Sequence, residues 1–259
     1  MSDEKVMQSD KKTKKNAPKE EGWIDTLRTL GWAFGIALVI RSFFFEPFNI
    51  PSGSMIPTLL VGDYMFVNKM SYGYSKYSFP LNAIPFDGRI METQPERGDV
   101  AVFRHPKKTD IDFVKRIVGL PGDTIQVISG VLHINGEAVK RRRIEDYVYN
   151  PEFPNSRSVR QYVETLPNGV EHRILETGGD TSYYDNTREV KVPEGYFFAM
   201  GDNRDNSNDS RGDVKFIPME NLVGRASFFF YSVDGTVSLW NPFSWPTAIR
   251  YSRFFNGIN

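Results

Sequence analysis

The 259-residue sequence has no cysteine, only three histidines and no net charge. The absence of cysteine excludes a disulfide framework and a thiolate metal site. The histidines, His105, His133 and His172, share no short ligand spacing such as HExxH, so we expect neither a metal ion nor another cofactor. The 32 basic residues are matched by 32 acidic ones, which argues against nucleic acid as a partner, because nucleic-acid-binding domains are normally basic.

One long apolar run lies near the N-terminus. Residues 1–22, which precede it, are polar and lysine-rich, and this composition predicts a disordered tail. As a helix, Trp23 to Phe45 would span about 34 Å, enough to cross a hydrocarbon core of about 30 Å. Asp25 and Arg28 lie in its first turns, and Arg41, the one charge further along, lies close enough to the far end to reach the interface. Because Pro47 would stop the helix, we expect one transmembrane anchor over residues 23–45.

A buried helix of a soluble domain and a cleaved signal peptide are the alternatives for this run. It ends in SFFFEPFNIP, which lacks the small residues of an A-x-A cleavage site, and this favours an uncleaved anchor. Seven Lys and Arg residues lie in residues 1–28, and none lies between Glu46 and Asn68. This bias predicts a cytoplasmic N-terminus, with everything after Phe45 across the membrane.

The rest of the chain is rich in short strands. Segments such as YMFVNKM, DVAVFRH, GYFFAM and ASFFFYSV are β-branched or aromatic and are bounded by Gly, Pro and Asp. Turn signals at Ser129-Gly130, Asn135-Gly136 and Asn168-Gly169 join further strands into hairpins. The pattern predicts a mostly β body after the anchor.

The stretch IPSGSMIP, Ile50–Pro57, places two serines in a stiff loop directly after the apolar run. Pro51 and Pro57 restrict the backbone, and Gly53 permits conformations that other residues resist. Such a loop can hold a hydroxyl group in one place. However, Ser, Gly and Pro are also the usual residues of a turn, and from these eight residues alone an ordinary turn is the favoured interpretation.

The stretch DFVKRIVGLPGD places a lysine in a predicted strand. Period-two alternation puts Phe113, Lys115 and Ile117 on one face. A lysine there commonly packs its stem and extends its ammonium group to water. In a desolvated site it would instead have a lowered pKa and could act as the base of a Ser-Lys pair. Both interpretations stay open from the residues alone.

A third stretch, GDNRDNSNDSRGD, spans Gly201–Asp213 and is too polar for a core. As an EF-hand loop starting at Asp205 it would need Gly in place of Ser210 and Glu in place of Phe216. The calcium pattern therefore fails, and a hydrogen-bonded turn network remains as the interpretation.

Together these stretches resemble the bacterial type I signal peptidases, also called leader peptidases. The resemblance is carried, in the family's order, by EPFNIPSGSMIPTLLVGDYMFVNK, RGDVAVF, DFVKRIVGLPGD and MGDNRDNSNDSR. It implies a membrane-bound serine endopeptidase, a hydrolase that removes signal peptides from exported preproteins. Cleavage would follow small residues at positions −3 and −1 and would proceed through an acyl-enzyme.

The resemblance also implies the roles of individual residues in a Ser-Lys dyad. Ser54 would be the nucleophile and Lys115 the general base. Ser52 would complete the oxyanion hole beside the backbone N–H of Ser54. Ser207 would orient Lys115 through a hydrogen bond.

An ion pair between Asp209 and Arg211 would support the dyad, with Asp202 and Arg204 nearby in the same stretch. The resemblance further implies small apolar pockets for the substrate. Their lining residues would be Phe48, Ile50, Met55, Leu59, Val102, Phe113 and Val114.

The implied fold is an antiparallel β-sheet catalytic core over residues 46–123 and 192–259. A variable, β-rich second domain would occupy residues 124–191, and one transmembrane helix would precede both. The protein would be single-pass in the inner (plasma) membrane, with the catalytic domain on the outer, periplasmic face. Its partners would be preprotein signal peptides and the phospholipid bilayer, in proximity to the secretion translocon.

Two other classes of protein remain as alternatives. A non-catalytic envelope scaffold could use the β body to bind partners, but it would need neither Ser54 nor Lys115. A self-cleaving regulator of the SOS repressor kind could use the same dyad, but that class is soluble and carries a DNA-binding head where this chain has an apolar run.

Overall fold

The computed structural model describes residues 22–79, 86–149, 157–178, 182–234 and 245–258. The predicted disordered tail, residues 1–22, lies outside these ranges except for Gly22. The chain forms two compact units, and the boundary between them lies between Leu38 and Val39, inside the first helix.

Two α-helices lie in the described residues, α1 (Trp23–Phe43) and the short α2 (Trp245–Ala248). Turns of 3-10 helix lie at Lys69–Ser71, Lys76–Ser78, Arg204–Asn206, Met219–Asn221 and Tyr251–Arg253. The strands are β1 (Phe45–Asn49), β2 (Asp63–Asn68), β3 (Val100–His105), β4 (Lys108–Gly119), β5 (Thr124–Ile128), β6 (Val131–Ile134), β7 (Glu137–Ala138), β8 (Lys140–Arg143), β9 (Tyr147–Tyr149), β10 (Arg157–Thr165), β11 (Glu171–Glu176), β12 (Val190–Lys191), β13 (Tyr196–Met200), β14 (Ile217–Pro218) and β15 (Leu222–Ser232).

Helix α1 is the one helix of the described residues that is long and apolar enough to cross a membrane. Its 21 residues span about 31 Å, close to the thickness of a hydrocarbon core. The helix ends at Phe43, before the predicted Phe45, because Phe45 already pairs with Asn68 as the first residue of β1. Pro47, predicted to stop the helix, lies within that strand.

A seven-stranded antiparallel sheet has the order β1-β2-β15-β3-β4-β13-β14. Consecutive residues of β3 alternate between two core clusters: Val100 and Val102 pack in one, and Ala101 and Phe103 pack in the other. A strand covered on both faces is apolar in its centre, as the four residues VAVF of β3 are. The predicted mostly β, antiparallel fold is therefore confirmed, and the centre of this sheet is buried on both sides.

Strands β5 to β12 lie between Thr124 and Lys191 and form two four-stranded sheets, β12-β5-β6-β7 and β11-β10-β8, with β9 added to β10. The predicted Asn135-Gly136 turn joins β6 to β7 with φ angles of 56° and 82°, the left-handed pair that such a hairpin requires. Both sheets belong to the same compact unit as the main sheet, so the domain boundary at 124–191 stays a prediction.

The C-terminal segment is fixed to the main sheet by a buried carboxylate, that of Asp63 in β2. The backbone N–H of Leu60 and the hydroxyl of Ser232 each donate to it at 2.7 Å. Arg253 donates to both carboxylate oxygens, from Nη2 at 2.6 Å and from Nε at 3.0 Å. This two-pronged ion pair holds the Tyr251–Arg253 turn against β2.

We expect the Asp63→Asn variant to unfold at a lower temperature than the wild type. The amide cannot accept both Arg253 bonds and leaves the guanidinium without its buried counter-charge, at a cost of about 3 kcal/mol. That cost corresponds to roughly 6–12 °C in Tm for a body of this size. The measurement is thermal unfolding of the full chain in detergent. Asp87→Asn, at a fully exposed carboxylate, is the matched control, and equal Tm changes in both variants would contradict the assignment.

Candidate active site

The loop Ile50–Pro57 is held at both ends by buried apolar side chains. Ile50 and Met55 are buried in the core cluster of β2, and Ile50 exchanges backbone hydrogen bonds with the β2 side, donating to the Asp63 carbonyl at 2.8 Å. A Cβ on Gly53 would lie 3.1 Å from the side chain of Ile56, so this position favours glycine. The loop is therefore fixed, and Ser54 is presented between its two anchored ends.

Lys115 reaches the loop from the middle of β4. This strand lies between β3 and β13, and its register sets Lys115 opposite Ala101. The Lys115 Nζ lies 2.7 Å from Ser54 Oγ and 2.9 Å from the Val114 carbonyl oxygen, to which it donates. The Nζ atom also lies 5.2 Å from the centre of the Phe113 ring. This contact agrees with the prediction that Phe113 and Lys115 lie on the same face of the strand.

The Lys115 side chain is almost completely withdrawn from water, with 5% of the residue exposed. Burial lowers the pKa of its ammonium group to about 8, because the charged form loses hydration. The carboxylates of Asp209 and Asp202 act in the opposite direction and limit the shift. A larger fraction of this amine is therefore neutral at neutral pH than of a solvated lysine, although most of it is still charged.

Ser52 lies on the exposed side of the same loop. Its Oγ is 3.5 Å from Ser54 Oγ, and either hydroxyl could donate. The two hydroxyls and the Lys115 amine thus form one continuous polar group at the loop surface. This arrangement can transfer a proton from Ser54 to Lys115 while a second hydroxyl stands beside the nucleophile.

The polar stretch Gly201–Asp213 is an ordered turn network around one buried carboxylate. Asp209 is completely buried and accepts hydrogen bonds from the Gly201 N–H at 3.0 Å and from Arg211 Nε and Nη2 at 3.0 and 2.8 Å. Burial by itself raises the pKa of Asp209, but Arg211 and the Gly201 N–H outweigh it and lower this pKa below its ordinary value. Asp209 is therefore ionised beside the dyad.

Ser207 is buried in the same network, with 6% of its surface exposed. Its Oγ makes no hydrogen bond of good geometry among the residues that the structure describes, but it is close enough to the Asp209 carboxylate to help lower the pKa of that group. The Lys115 amine bonds instead to Ser54 and the Val114 carbonyl. Ser207 thus belongs to the Asp209 network, and no hydrogen bond joins it to Lys115 in the described part of the chain, whereas the resemblance implies one.

Sequence reasoning missed a second buried ion pair. Arg116, which follows Lys115 in β4, donates Nε and Nη2 to the two oxygens of Asp202 at 2.9 and 2.8 Å, and both residues are buried. A signal for it existed, because an arginine in the apolar run FVKRIVGL must find a counter-charge if the strand is buried. The pair fixes the start of the polar stretch to β4, the strand that contains Lys115.

A cleft of about 740 Å³ opens in front of Ser54 and Lys115. Six of the seven residues implied as pocket-lining contribute to its wall: Phe48, Ile50, Met55, Leu59, Phe113 and Val114. The seventh, Val102, is completely buried in the core cluster that contains Ile50, Met55 and Leu59, so it supports the wall from behind. The remaining lining includes charged side chains, those of Arg41, Glu46, Arg104 and Asp112.

Three carboxylates that could hold a metal ion lie apart from the dyad: oxygens of Glu176, Asp185 and Asp205 are within 4.8 Å of one another. The guanidinium of Arg141 lies 3.8 Å from Glu176 Oε1. Burial raises the pKa of Glu176 to about 8, so this carboxyl group is mostly protonated near neutral pH. The bound proton and the Arg141 guanidinium therefore both reduce the negative charge of the three-carboxylate cluster. None of these residues takes part in the geometry of Ser54 and Lys115.

Comparison with known proteins identifies the family of this chain. A "Signal peptidase I" from Rickettsia canadensis is 38% identical over 97% of this chain and 98% of its own length. Another "Signal peptidase I", from Rickettsia typhi, is 40% identical over 86% of this chain and 89% of its own. The profile of the family described as "Signal peptidase, peptidase S26" matches residues 23–231. The chain therefore belongs to the signal peptidase family, peptidase S26, and is a serine endopeptidase.

Proposed function

We propose that Ser54 is the nucleophile and Lys115 the general base of this enzyme. Family membership indicates that the reaction is the removal of signal peptides. The observation that carries the proposal is the 2.7 Å separation of Lys115 Nζ and Ser54 Oγ in a site where the lysine is buried. A hydroxyl group needs a neutral base within hydrogen-bond reach to become a nucleophile at neutral pH. Lys115 meets both requirements.

The reaction begins when Lys115 Nζ takes the proton of Ser54 Oγ as that oxygen attacks the scissile carbonyl carbon. The carbonyl oxygen becomes an oxyanion, which the Ser52 hydroxyl and the Ser54 backbone N–H stabilise by about 3 kcal/mol per donor. The C–N bond then breaks, and Lys115 returns the proton to the leaving amine. In the second half, Lys115 removes a proton from water as the water oxygen attacks the ester carbonyl carbon. The bond from that carbon to Ser54 Oγ then breaks, and Lys115 returns the proton to Ser54 Oγ, which releases the carboxylic acid product and restores the enzyme.

Ser207, Asp209 and Arg211 support the dyad in this proposal. The Asp209–Arg211 ion pair keeps a buried negative charge near Lys115 and fixes the turn that carries Ser207. Ser207 Oγ is buried beside the Asp209 carboxylate, and a rotation of its side chain would let it orient the Lys115 ammonium when Ser54 is engaged with substrate.

Specificity for small residues at positions −1 and −3 would come from the apolar wall of the cleft. Side chains of Phe48, Met55 and Leu59 already fill the space beside the loop and are backed by the core cluster. Such a wall accepts a methyl group more readily than a large side chain, because close-packed interiors resist expansion.

The signal peptide is proposed to reach the site from the bilayer. Ser54 follows the end of α1 by eleven residues, which limits its distance from Phe43 to about 40 Å even for an extended chain. In addition, partly exposed rings of Phe45, Phe66, Phe228 and Phe230 contact one another on β1, β2 and β15. Aromatic side chains favour the membrane interface, which supports contact with the phospholipid bilayer.

The proposed topology is a cytoplasmic N-terminus, one membrane span and a catalytic core, residues 46–123 and 192–259, on the outer, periplasmic face of the inner membrane. The Lys and Arg bias on the N-terminal side of the apolar run supports it. On this side of the membrane the enzyme would meet preproteins as they leave the translocon. Residues 124–191 would form the second domain.

We expect Ser54→Ala and Lys115→Ala each to abolish cleavage of a preprotein with Ala-x-Ala before its mature start. Each variant removes one partner of the proton transfer, and losses of more than about 10³-fold in kcat are usual for such groups. Ser158→Ala and Lys108→Ala, at exposed positions of β10 and β4, are the matched controls. Cleavage that survives in Ser54→Ala or in Lys115→Ala would contradict the assignment of the dyad.

We further expect Gly201→Ala to reduce kcat/KM at least about tenfold, because small displacements of reacting groups are costly. A Cβ at this position would lie 2.2 Å from Ser207 Oγ and 2.5 Å from the Ser54 carbonyl oxygen, so the nucleophile must shift. Gly35→Ala in α1 is the control, since a Cβ there would meet no described atom within 4 Å beyond the backbone of its own helix. Equal kcat/KM in wild type and Gly201→Ala would refute this close approach.

A further inference from the structure

The nucleophile loop is held from behind by one residue of the polar stretch. The backbone N–H of Asn203 donates to the Ser54 carbonyl oxygen at 3.0 Å, and its side-chain Nδ2 donates to the Gly53 carbonyl oxygen at 3.0 Å. Thr58, at the far end of the loop, donates to Asp202 at 2.5 Å. The position of Ser54 therefore depends on the position of the segment Asp202–Arg204.

The segment Asp202–Arg204 is in turn held by β9, β10 and β11, which belong to one of the two four-stranded sheets. The N–H of Leu175 in β11 donates to the Asp202 carbonyl oxygen at 2.9 Å, and Leu175 forms a parallel bridge with Asn203. The hydroxyl of Tyr149 in β9 accepts a hydrogen bond from Asn203 Nδ2 at 3.1 Å. The same amide nitrogen thus contacts Gly53 on one side and β9 on the other.

Buried charges strengthen this connection. Both terminal nitrogens of Arg204 donate to the carboxylate of Glu164 in β10. His172 of β11 lies with Nε2 3.2 Å from Glu164 Oε2 and 4.0 Å from Asp202 Oδ1. Asp202 is also bound by Arg116 of β4, so the charges form one network of two arginines and two carboxylates.

The network is neutral as a whole, which allows it to be buried. Burial would raise the pKa of Glu164, but Arg204 outweighs it and lowers this pKa far below its ordinary value. Burial lowers the pKa of His172, and Arg116 adds to the effect, so the imidazole is neutral at pH 7. Removal of one partner would leave an uncompensated charge in the interior, which is strongly unfavourable.

We infer that Tyr149 and Glu164 are positioning residues for the catalytic serine: through Asn203 and Arg204 they fix the segment that holds the Gly53 and Ser54 carbonyl groups. Neither residue touches the cleft wall that contains Ser54 and Lys115. Their contribution passes through the backbone of the nucleophile loop. The inference rests on the proposed function, because it assigns the held serine as the nucleophile.

A positioning role differs from a purely structural one in its kinetic effect. Displacement of Ser54 relative to Lys115 lowers the rate of the chemical step and leaves the apolar cleft that binds the signal peptide unchanged. The loss therefore falls on kcat, and KM stays constant. A purely structural residue would lower the amount of folded enzyme and leave kcat per folded molecule unchanged.

The test uses Tyr149→Phe and Glu164→Gln in the full chain, with kcat, KM and Tm measured on one preprotein substrate. Tyr149→Phe removes one hydrogen bond and keeps the ring, and we expect kcat to fall about fivefold at constant KM and Tm. We expect Glu164→Gln to lower kcat more than about tenfold at temperatures well below its Tm. The matched controls are Tyr162→Phe in β10 and Glu171→Gln at an exposed position of β11, both with unchanged kcat.

If Glu164→Gln fails to fold, Tyr149→Phe decides. A kcat for Tyr149→Phe within error of wild type, or an equal loss in Tyr162→Phe, would overturn the inference. Ser54→Ala, measured in parallel, separates this outcome from failure of the proposed function. An inactive Ser54→Ala beside an unaffected Tyr149→Phe rejects only the positioning role, whereas an active Ser54→Ala rejects the dyad itself.

Discussion

The site depends on the desolvation of a single ammonium group, that of Lys115. A free lysine with a pKa near 10.4 is neutral in only roughly 0.04% of molecules at pH 7, whereas a pKa of about 8 makes roughly 9% neutral. The gain of about two orders of magnitude in neutral amine comes mainly from burial, and the positive charge of Arg211 adds to it. Burial is possible because β4 lies inside the main sheet and both faces of the sheet are covered.

Nearby charges limit how far this desolvation can go. Asp209 and Asp202 lie close enough to raise the pKa of Lys115, and each is matched by an arginine, Arg211 and Arg116 respectively. Pairing keeps both carboxylates ionised in the interior, and the charge of Arg211 also offsets part of their effect on the pKa of Lys115. The polar stretch is therefore a set of neutral pairs around the dyad, in which Ser54 and Lys115 are the two groups left to exchange a proton.

Local patterns in the sequence predicted much of this arrangement. Alternation placed Lys115 and Phe113 on one face, and the turn residues at Asn135-Gly136 predicted a hairpin that the structure confirms. Both features depend on neighbours within a few residues. The end of α1 differed from the prediction, because the pairing of Phe45 with Asn68, a contact outside the helix, decides it.

Contacts between distant segments could not be predicted in the same way. Arg204 and Glu164 are forty residues apart in sequence and belong to different sheets and turns, so no local period relates them. The stretch that includes Glu164 showed no chemistry by itself, although the structure connects it to the nucleophile loop through Asn203. The packing of complete sheets decides which buried arginine pairs with which carboxylate.

The most direct measurement is the titration of Lys115 itself. In the full chain labelled with ¹³C at lysine Cε, comparison with Lys115→Met assigns its NMR signal, and the chemical shift is followed from pH 6 to 11. We expect the titration midpoint of Lys115 to lie near 8, well below that of a solvated lysine. A midpoint near 10.4 would show that the amine is hydrated and would contradict its role as the base that activates Ser54.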